Sequence, residues 1–300
     1  MQNKKMDVII IGGSYSGLSA AMALGRSLRN VLIIDHGKPC NRQTPHSHNF
    51  ITHDGKTPKE IRELAKKDVE QYKTVQVYEG EAKKIEKNGD VFCVELFSGD
   101  EFYAKKIILA SGVKDMMPDI PGFSECWGIS VIHCPYCHGY EVRNEITGIL
   151  ADGDLAFEFS KLVFNLTKEL TLFTNGKTKL THEQVEKLKQ NKINLNEEEI
   201  EKIEHENGYI QKIIFKDGSV APLKALYAKI PFEQNVDVSE LGCELTEYGF
   251  IKADFMQKTS VPGVFACGDN VMMMRSVANA VAQGNLTGAV MNKELSEEEF

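Results

Sequence analysis

Residues 7 to 35 constrain the fold more than any other stretch. Asp7-Val8-Ile9-Ile10-Ile11 is a continuous apolar run that stops at Gly12, the pattern of a parallel strand buried on both faces. Gly12-Gly13-Ser14-Tyr15-Ser16-Gly17 forms a turn. Leu18 to Leu28 is rich in alanine, leucine and methionine, good helix formers. Val31-Leu32-Ile33-Ile34-Asp35 is a second buried strand that ends in an acid. Strand, glycine turn, helix and strand in this order make a βαβ unit of the dinucleotide-binding kind. In that unit a pyrophosphate rests on the helix N-terminus and Asp35 bonds a ribose hydroxyl.

The glycine spacing departs from G-x-G-x-x-G at one place, where Ser14 stands for the second glycine. Serine is small enough to leave the backbone accessible to a pyrophosphate. A plain glycine turn in an α/β protein would explain the same residues. The two flanking buried strands and the terminal acid favour the nucleotide reading.

The rest of the chain repeats this layout. Residues 37 to 58 form a proline- and glycine-rich loop carrying His46, His48 and His53, whose spacing fits no helical ligand face and suits a cofactor-covering loop. Pro58 to Lys73 has the pattern of an amphipathic helix. Asn88-Gly89 between alternating flanks predicts a hairpin, and Ile107-Ile108-Leu109-Ala110-Ser111-Gly112 a buried strand ending in small residues. Gly148 to Ala156 then resembles a second strand-turn-helix start, Leu170 to Phe173 its next strand, and Leu226-Tyr227-Ala228 its closing strand. Asn207-Gly208 and Gly218 repeat the spacing of Asn88-Gly89 and Gly99. The chain reads as an internal duplication, two Rossmann-like units, each with a small antiparallel meander. The acidic run Glu197 to Glu206 reads as a solvated face. Val264-Phe265-Ala266-Cys267-Gly268-Asp269 is a strand running into an acid, placed for a sugar hydroxyl or a metal, before a helix predicted over Arg275 to Glu294.

Cysteine usage narrows the chemistry. Of seven cysteines only one pair is close, in His133-Cys134-Pro135-Tyr136-Cys137-His138. An odd count with one pair is no secreted disulfide framework. No apolar run is long enough for a signal-peptide core or a membrane span, so a cytoplasmic protein is expected, in which a lone CxxC is redox-active or metal-binding. A zinc held by His133, Cys134, Cys137 and His138 would be crowded, since structural zinc usually draws on two separated pairs. Cys93, Cys243 and Cys267 read as small core residues, while Cys40 and Cys126 fall in predicted loops that leave exposure open, and nothing pairs them. Trp127 reads as packing. A net charge of -8 offers no basic field, so neither nucleic acid nor a membrane surface is expected as a partner.

Gly12 to Gly17 with Asp35, Ala110-Ser111-Gly112, Ile120-Pro121-Gly122, Cys134-Pro135-Tyr136-Cys137 and Thr259 to Asp269 together resemble the low-molecular-weight thioredoxin reductases, within the two-dinucleotide-binding-domain flavoproteins. The resemblance implies an α/β fold of two Rossmann-like three-layer ββα nucleotide-binding domains. The FAD domain would be discontinuous, residues 1-115 and 235-300, with a second, NAD(P)-binding-like domain carrying the CxxC inserted over 116-234. It implies FAD as cofactor, held by Gly12, Gly13, Ser14, Gly17, Asp35, Asn49, Ser111, Gly112, Gly268, Asp269, Ser276 and Val277, with Asp269 on the ribityl chain. It implies no metal. It makes Cys134 the exchanging thiol and Cys137 the one nearer the flavin, with a thioredoxin-like protein or a small-molecule disulfide or dithiol as partner and a homodimer as the assembly.

Two departures bear on function. The reductases carry Asp after the second cysteine, and this chain has His138, a group able to move a proton in either direction near neutrality. The sequence Cys-x-x-Cys-His-Gly-Tyr-Glu is similar to a branch that includes dithiol oxidases of small molecules. At the second turn, Ala151-Asp152-Gly153 replaces the glycine triplet, so that a carboxylate would face an incoming pyrophosphate. After Phe173 no arginine follows for a 2′-phosphate, and Lys177 or Lys179 would be a poorer fork. Both changes argue against efficient NADPH use and leave NADPH or NADH binding open. Three readings remain: a nicotinamide-fed reductase, a nicotinamide-independent dithiol oxidase, and a flavin-binding sensor or binding module.

Overall fold

The computed structural model describes residues 6–300. The chain forms two compact units, one of residues 6–42, 50–115 and 232–300, the other of residues 43–49 and 116–231. In the first unit, β1 (Met6–Ile11), α1 (Tyr15–Arg26), β2 (Val31–Asp35), α2 (Pro58–Val69) and β3 (Val75–Glu79) lead into β4 (Ala82–Asn88), β5 (Val91–Leu96), β6 (Glu101–Leu109) and β7 (Val113–Asp115). The second unit contributes α3 (Phe123–Cys126), β8 (Val131–Ile132), α4 (Pro135–His138), β9 (Thr147–Leu150), α5 (Gly153–Val163) and β10 (Leu170–Phe173). It continues with α6 (His182–Gln190), β11 (Asn194–Asn196), β12 (Ile200–Glu206), β13 (Tyr209–Phe215), β14 (Val220–Pro222) and β15 (Ala225–Ala228). The chain then returns to the first unit through β16 (Phe232–Gln234), β17 (Val264–Ala266) and α7 (Val277–Glu299).

The first unit is built on a seven-stranded sheet of order β3-β2-β1-β6-β5-β4, with β17 also on β6. The pairs β2–β3, β1–β2, β1–β6 and β6–β17 are parallel, and β5 is antiparallel to both β6 and β4. Successive β1 residues show why the apolar run is continuous. Val8 and Ile10 enter one core, with Leu18, Leu24 and Met291 of the helices, while Ile9 and Ile11 enter the opposite core, with Ile85, Phe92 and Leu241. A period of two with both faces covered leaves no polar position. Helices α1 and α7 lie against each other because Gly284 and Gly288 face them without side chains. A Cβ would stand 2.1 Å from the Ser16 carbonyl oxygen at Gly284, and 2.6 Å from that of Ala20 at Gly288.

The second unit has an all-parallel sheet of order β11-β10-β9-β15-β8 and a separate antiparallel sheet β12-β13-β14. The duplicated layout therefore differs between copies: the first hairpin continues the main sheet through β6, whereas the second forms its own. Glu199 of the acidic run is exposed and pairs with Lys216, and the half-buried Glu204 pairs with Lys202 and Lys212.

Helix ends differ from the sequence expectation where caps decide them. Helix α1 starts at Tyr15, after Ser14 in extended conformation, and ends at Arg26 because Leu28 adopts φ 59. Helix α2 starts at a Thr57/Glu60 capping box and stops at Val69, and α7 begins at Val277 behind its N-cap Ser276. Cys126 is not exposed: it closes α3 and is 0% accessible, packed with Phe123 and Trp127. Residues 43–49 group with the second unit, not with the flanking parts of the first as the sequence assigns them. No helix among the described residues is long and apolar enough to cross a membrane.

Candidate active site

The first unit presents a nucleotide-shaped cradle at the end of β1. Gly12 adopts φ 105, and its N–H donates to the Ile34 carbonyl at 2.8 Å. Gly17 must be glycine because a Cβ there would lie 1.9 Å from the Gly12 carbonyl oxygen. Ser14, at the N-cap of α1, makes no side-chain cap bond, so the amides of the first turn stay available to an anion. Asp35 closes the turn by accepting from the Gly13 N–H at 3.1 Å and pairs with the Arg62 guanidinium, whose Nε also donates to the Gly13 carbonyl at 3.3 Å. Arg62 carried no signal in the sequence beyond its place on an amphipathic helix.

The other predicted residues of this unit arrive from β6, β17 and α7. Among the described residues the buried Ser111 hydroxyl has no hydrogen-bond partner, the Ser111 carbonyl accepts from Asn235, and Gly112 adopts φ 65. Gly268, at φ 93, donates its N–H to Gln283 at 2.7 Å. Asp269 is pushed up by burial, an effect opposed by the Arg275 guanidinium, 3.5 Å away, and by the Cys40 thiol, 3.7 Å away. Arg275 in turn forks onto Asp115 at 2.7 and 3.1 Å. Ser276 caps α7 by accepting from the Asn279 N–H, and Val277 is the first residue of that helix. Asn49, at φ 60, belongs to the segment that groups with the second unit. An uncapped helix start, glycines with no room for a Cβ, an orphaned serine hydroxyl and a buried carboxylate fit a flavin dinucleotide.

The CxxC sits in the second unit on the short helix α4. Cys134 is its N-cap and Pro135 its first residue, a position where the missing N–H costs nothing. The Cys134 sulfur accepts from the Cys137 N–H at 3.2 Å. Its pKa is drawn down to about 7 by the neighbouring Cys137 thiol, against the effect of burial, with help from the Cys137 and Tyr136 amides and the Lys229 ammonium. Lys229 also donates to the His133 carbonyl at 3.0 Å. His138 is pushed down by burial, Glu141 pulls the other way, and His48 adds to the depression. The His48 ring lies 3.5 Å from the Glu141 carboxylate. His48 thus belongs beside the dithiol, a placement that the loop reading could not supply. Among the described residues no cluster of three or more His, Cys, Asp or Glu side chains is arranged to hold a metal ion.

The second turn is occupied by the chain itself. Asp152 caps nothing on α5. Its carboxylate accepts from the Thr178 hydroxyl at 3.0 Å and from the Lys179 N–H at 3.0 and 3.2 Å. Those bonds outweigh burial and hold Asp152 below the usual carboxylate range. Gln184 donates to Asp154 at 2.7 Å, fixing the same segment one turn further on. Thr178 and Lys179 thereby tie the loop after β10 to the residue that precedes α5.

Known proteins of this architecture agree with the geometry. Residues 6–284 match the family described as pyridine nucleotide-disulphide oxidoreductase. The chain is 34% identical to "Thioredoxin reductase tcpT" of Claviceps purpurea over 302 residues, covering 97% of this chain and 94% of that one. An oxidoreductase from Agrobacterium tumefaciens superposes with a TM-score of 0.92 at 36% identity, over 98% and 99% of the two chains. A putative thioredoxin reductase TrxB from Bacillus anthracis superposes with a TM-score of 0.94 at 29% identity, over 98% and 100%. The chain belongs to the pyridine nucleotide-disulphide oxidoreductase family and is a flavin-dependent oxidoreductase of the thioredoxin reductase-like kind.

Proposed function

We propose that this protein is an FAD-dependent dithiol oxidase that draws electrons from a thiol substrate at Cys134 without a nicotinamide donor. The observation that carries this reading is the latch of Thr178 and Lys179 on Asp152, which sets a fixed carboxylate and a folded segment where a dinucleotide's phosphates would have to bind. An ionised carboxylate repels a pyrophosphate, and breaking the latch would strip it of its hydrogen bonds.

The oxidised Cys134–Cys137 pair would be the acceptor. A substrate thiolate attacks the Cys134 sulfur, the intramolecular S–S bond breaks, and Cys137 leaves with the electron pair. The substrate's second thiol then attacks its own disulfide-bonded sulfur and releases Cys134 as a thiolate. Two protons and two electrons have left the dithiol, which departs as a disulfide. His138, kept neutral by burial, is the proton acceptor beside the pair. Bound FAD would supply the two-electron acceptor for the reduced pair, with oxygen or another oxidant taking those electrons in turn. Tyr136 and Tyr140 are exposed beside the cysteines, and Arg143 covers the Tyr140 ring at 3.9 Å, an aromatic rim suited to a small organic dithiol.

The relatives named thioredoxin reductase support the other direction, a nicotinamide-fed reductase of a thioredoxin-like protein, and one experiment separates the two. Under anaerobic conditions the yellow protein is expected to bleach with excess dithiothreitol and recover its colour in air, while NADPH and NADH leave it unchanged. Rapid bleaching by either nicotinamide would overturn the oxidase reading.

A further inference from the structure

Tyr227 lies within the second unit's parallel sheet, on β15 between β9 and the edge strand β8. Its ring packs edge-on against Phe159, with centroids 5.7 Å apart at 76°, among Ile132, Ile149 and Val163. The residue is 0% exposed, and among the described residues its hydroxyl has no hydrogen-bond partner. Phenylalanine would fill the same space without burying a polar group, so the hydroxyl is a liability unless something else uses it.

Its surroundings identify the user. Gly139 directly follows the helical turn that carries both cysteines. Its φ of -72° is open to any residue, so glycine is required there for space. A Cβ would come 2.9 Å from the Tyr227 hydroxyl oxygen and 2.4 Å from Leu166 Cδ1. The hydroxyl is thus lodged under the CxxC turn. The groups whose charge acts on it are Cys134 and Glu141, and together with burial they push the phenol well above its ordinary value. It stays protonated through the neutral range and can only donate to an anion. One residue beyond the end of the same strand, Lys229 acts on Cys134 as a cation.

We propose that the Tyr227 hydroxyl is a hydrogen-bond donor held in reserve for Cys134, taken up when the Cys134 sulfur becomes the leaving thiolate. This rests on the exchange role given to Cys134 above, but not on which oxidant or reductant completes the cycle. In the releasing step the substrate's second thiol gives its proton to His138 and attacks the substrate sulfur bonded to Cys134. The S–S bond breaks, the electron pair stays on Cys134, and the phenol O–H turns to that sulfur. Glu141, the competing acceptor, is engaged by His48.

The test is Tyr227→Phe in the full-length, flavin-loaded protein, a change that keeps the ring and its packing. After anaerobic reduction, Cys134 alkylation by iodoacetamide is followed across pH, with the modified peptide identified by mass. The midpoint is expected to lie about one unit above that of the native protein measured in parallel, which is roughly a tenfold loss of thiolate below the midpoint. Release of the substrate disulfide should slow in proportion, with thermal stability kept or raised. An unmoved midpoint together with unmoved release would overturn the proposal. Bleaching of the native protein by NADPH alongside a shifted midpoint would fell the oxidase reading and leave the role of Tyr227 standing.

Discussion

At the scale of single residues, Cys134 sets the pace of exchange, because only its thiolate attacks or leaves readily. The Cys137 thiol is the largest of the influences that lower its pKa. Cys137→Ala is therefore expected to raise the Cys134 alkylation midpoint from about 7 by about one unit or more, measured on the reduced protein, and an unmoved midpoint would refute this cause. The native alkylation rate should rise with pH through about 7 and level off above it. Since folding lowers this pKa from 9.0, the thiolate's contribution to the reduced protein's stability is complete above about 9 and is lost as pH falls through about 7. The two cysteines and His138 were legible in the sequence because a short spacing encodes their proximity. Arg62, His48 and Tyr227 were not, because their partners lie far along the chain and no periodicity marks contacts of that kind.

At the scale of elements, the contact of α1 with α7 rests on the absence of two side chains. Gly284→Ala would drive a Cβ to 2.1 Å from the Ser16 carbonyl oxygen, which is backbone and cannot turn aside. The strain is expected to cost about 1–3 kcal/mol, against about 1 kcal/mol gained in helix propensity. The net outcome is a lower midpoint of thermal unfolding, with weaker flavin retention because Ser16 sits in the first turn of α1. An unchanged midpoint would show that the helices separate freely. The buried strands could be read in advance because a strand covered on both faces needs an unbroken apolar run. The edges of the helices could not, because capping by Thr57 and Ser276 and the left-handed Leu28 decide them locally. Asn88-Gly89 announces a hairpin but says nothing about the strand it joins, so the continuation of β4–β5 into the main sheet through β6 emerged only in three dimensions. The Asp152 latch had the same origin. The acid was visible at position 152, but its partners Thr178 and Lys179 came from a loop 26 and 27 residues away.

At the scale of the whole molecule, the duplication was readable because the turn glycines keep their spacing in both halves. The structure adds how the chain crosses between the units. It leaves the first unit along β7 and returns along β16, and these strands pair antiparallel with Phe232 opposite Asp115, Glu233 opposite Lys114 and Gln234 opposite Val113. Directly opposed residues on such strands lie about 4.5–5.5 Å apart, a gap that a two-residue Asn-Gly turn spans. A chain in which residues 116–231 are replaced by that turn is expected to fold and remain yellow while losing all dithiol reactivity. A colourless or aggregated product would show that the first unit depends on its insert. In evolutionary terms, a gene rearrangement with breakpoints at these two codons would exchange the thiol-bearing insert 116–231 for another and leave every strand pair of the remaining sheet in register, so one scaffold could be refitted to new chemistry by replacing one continuous segment.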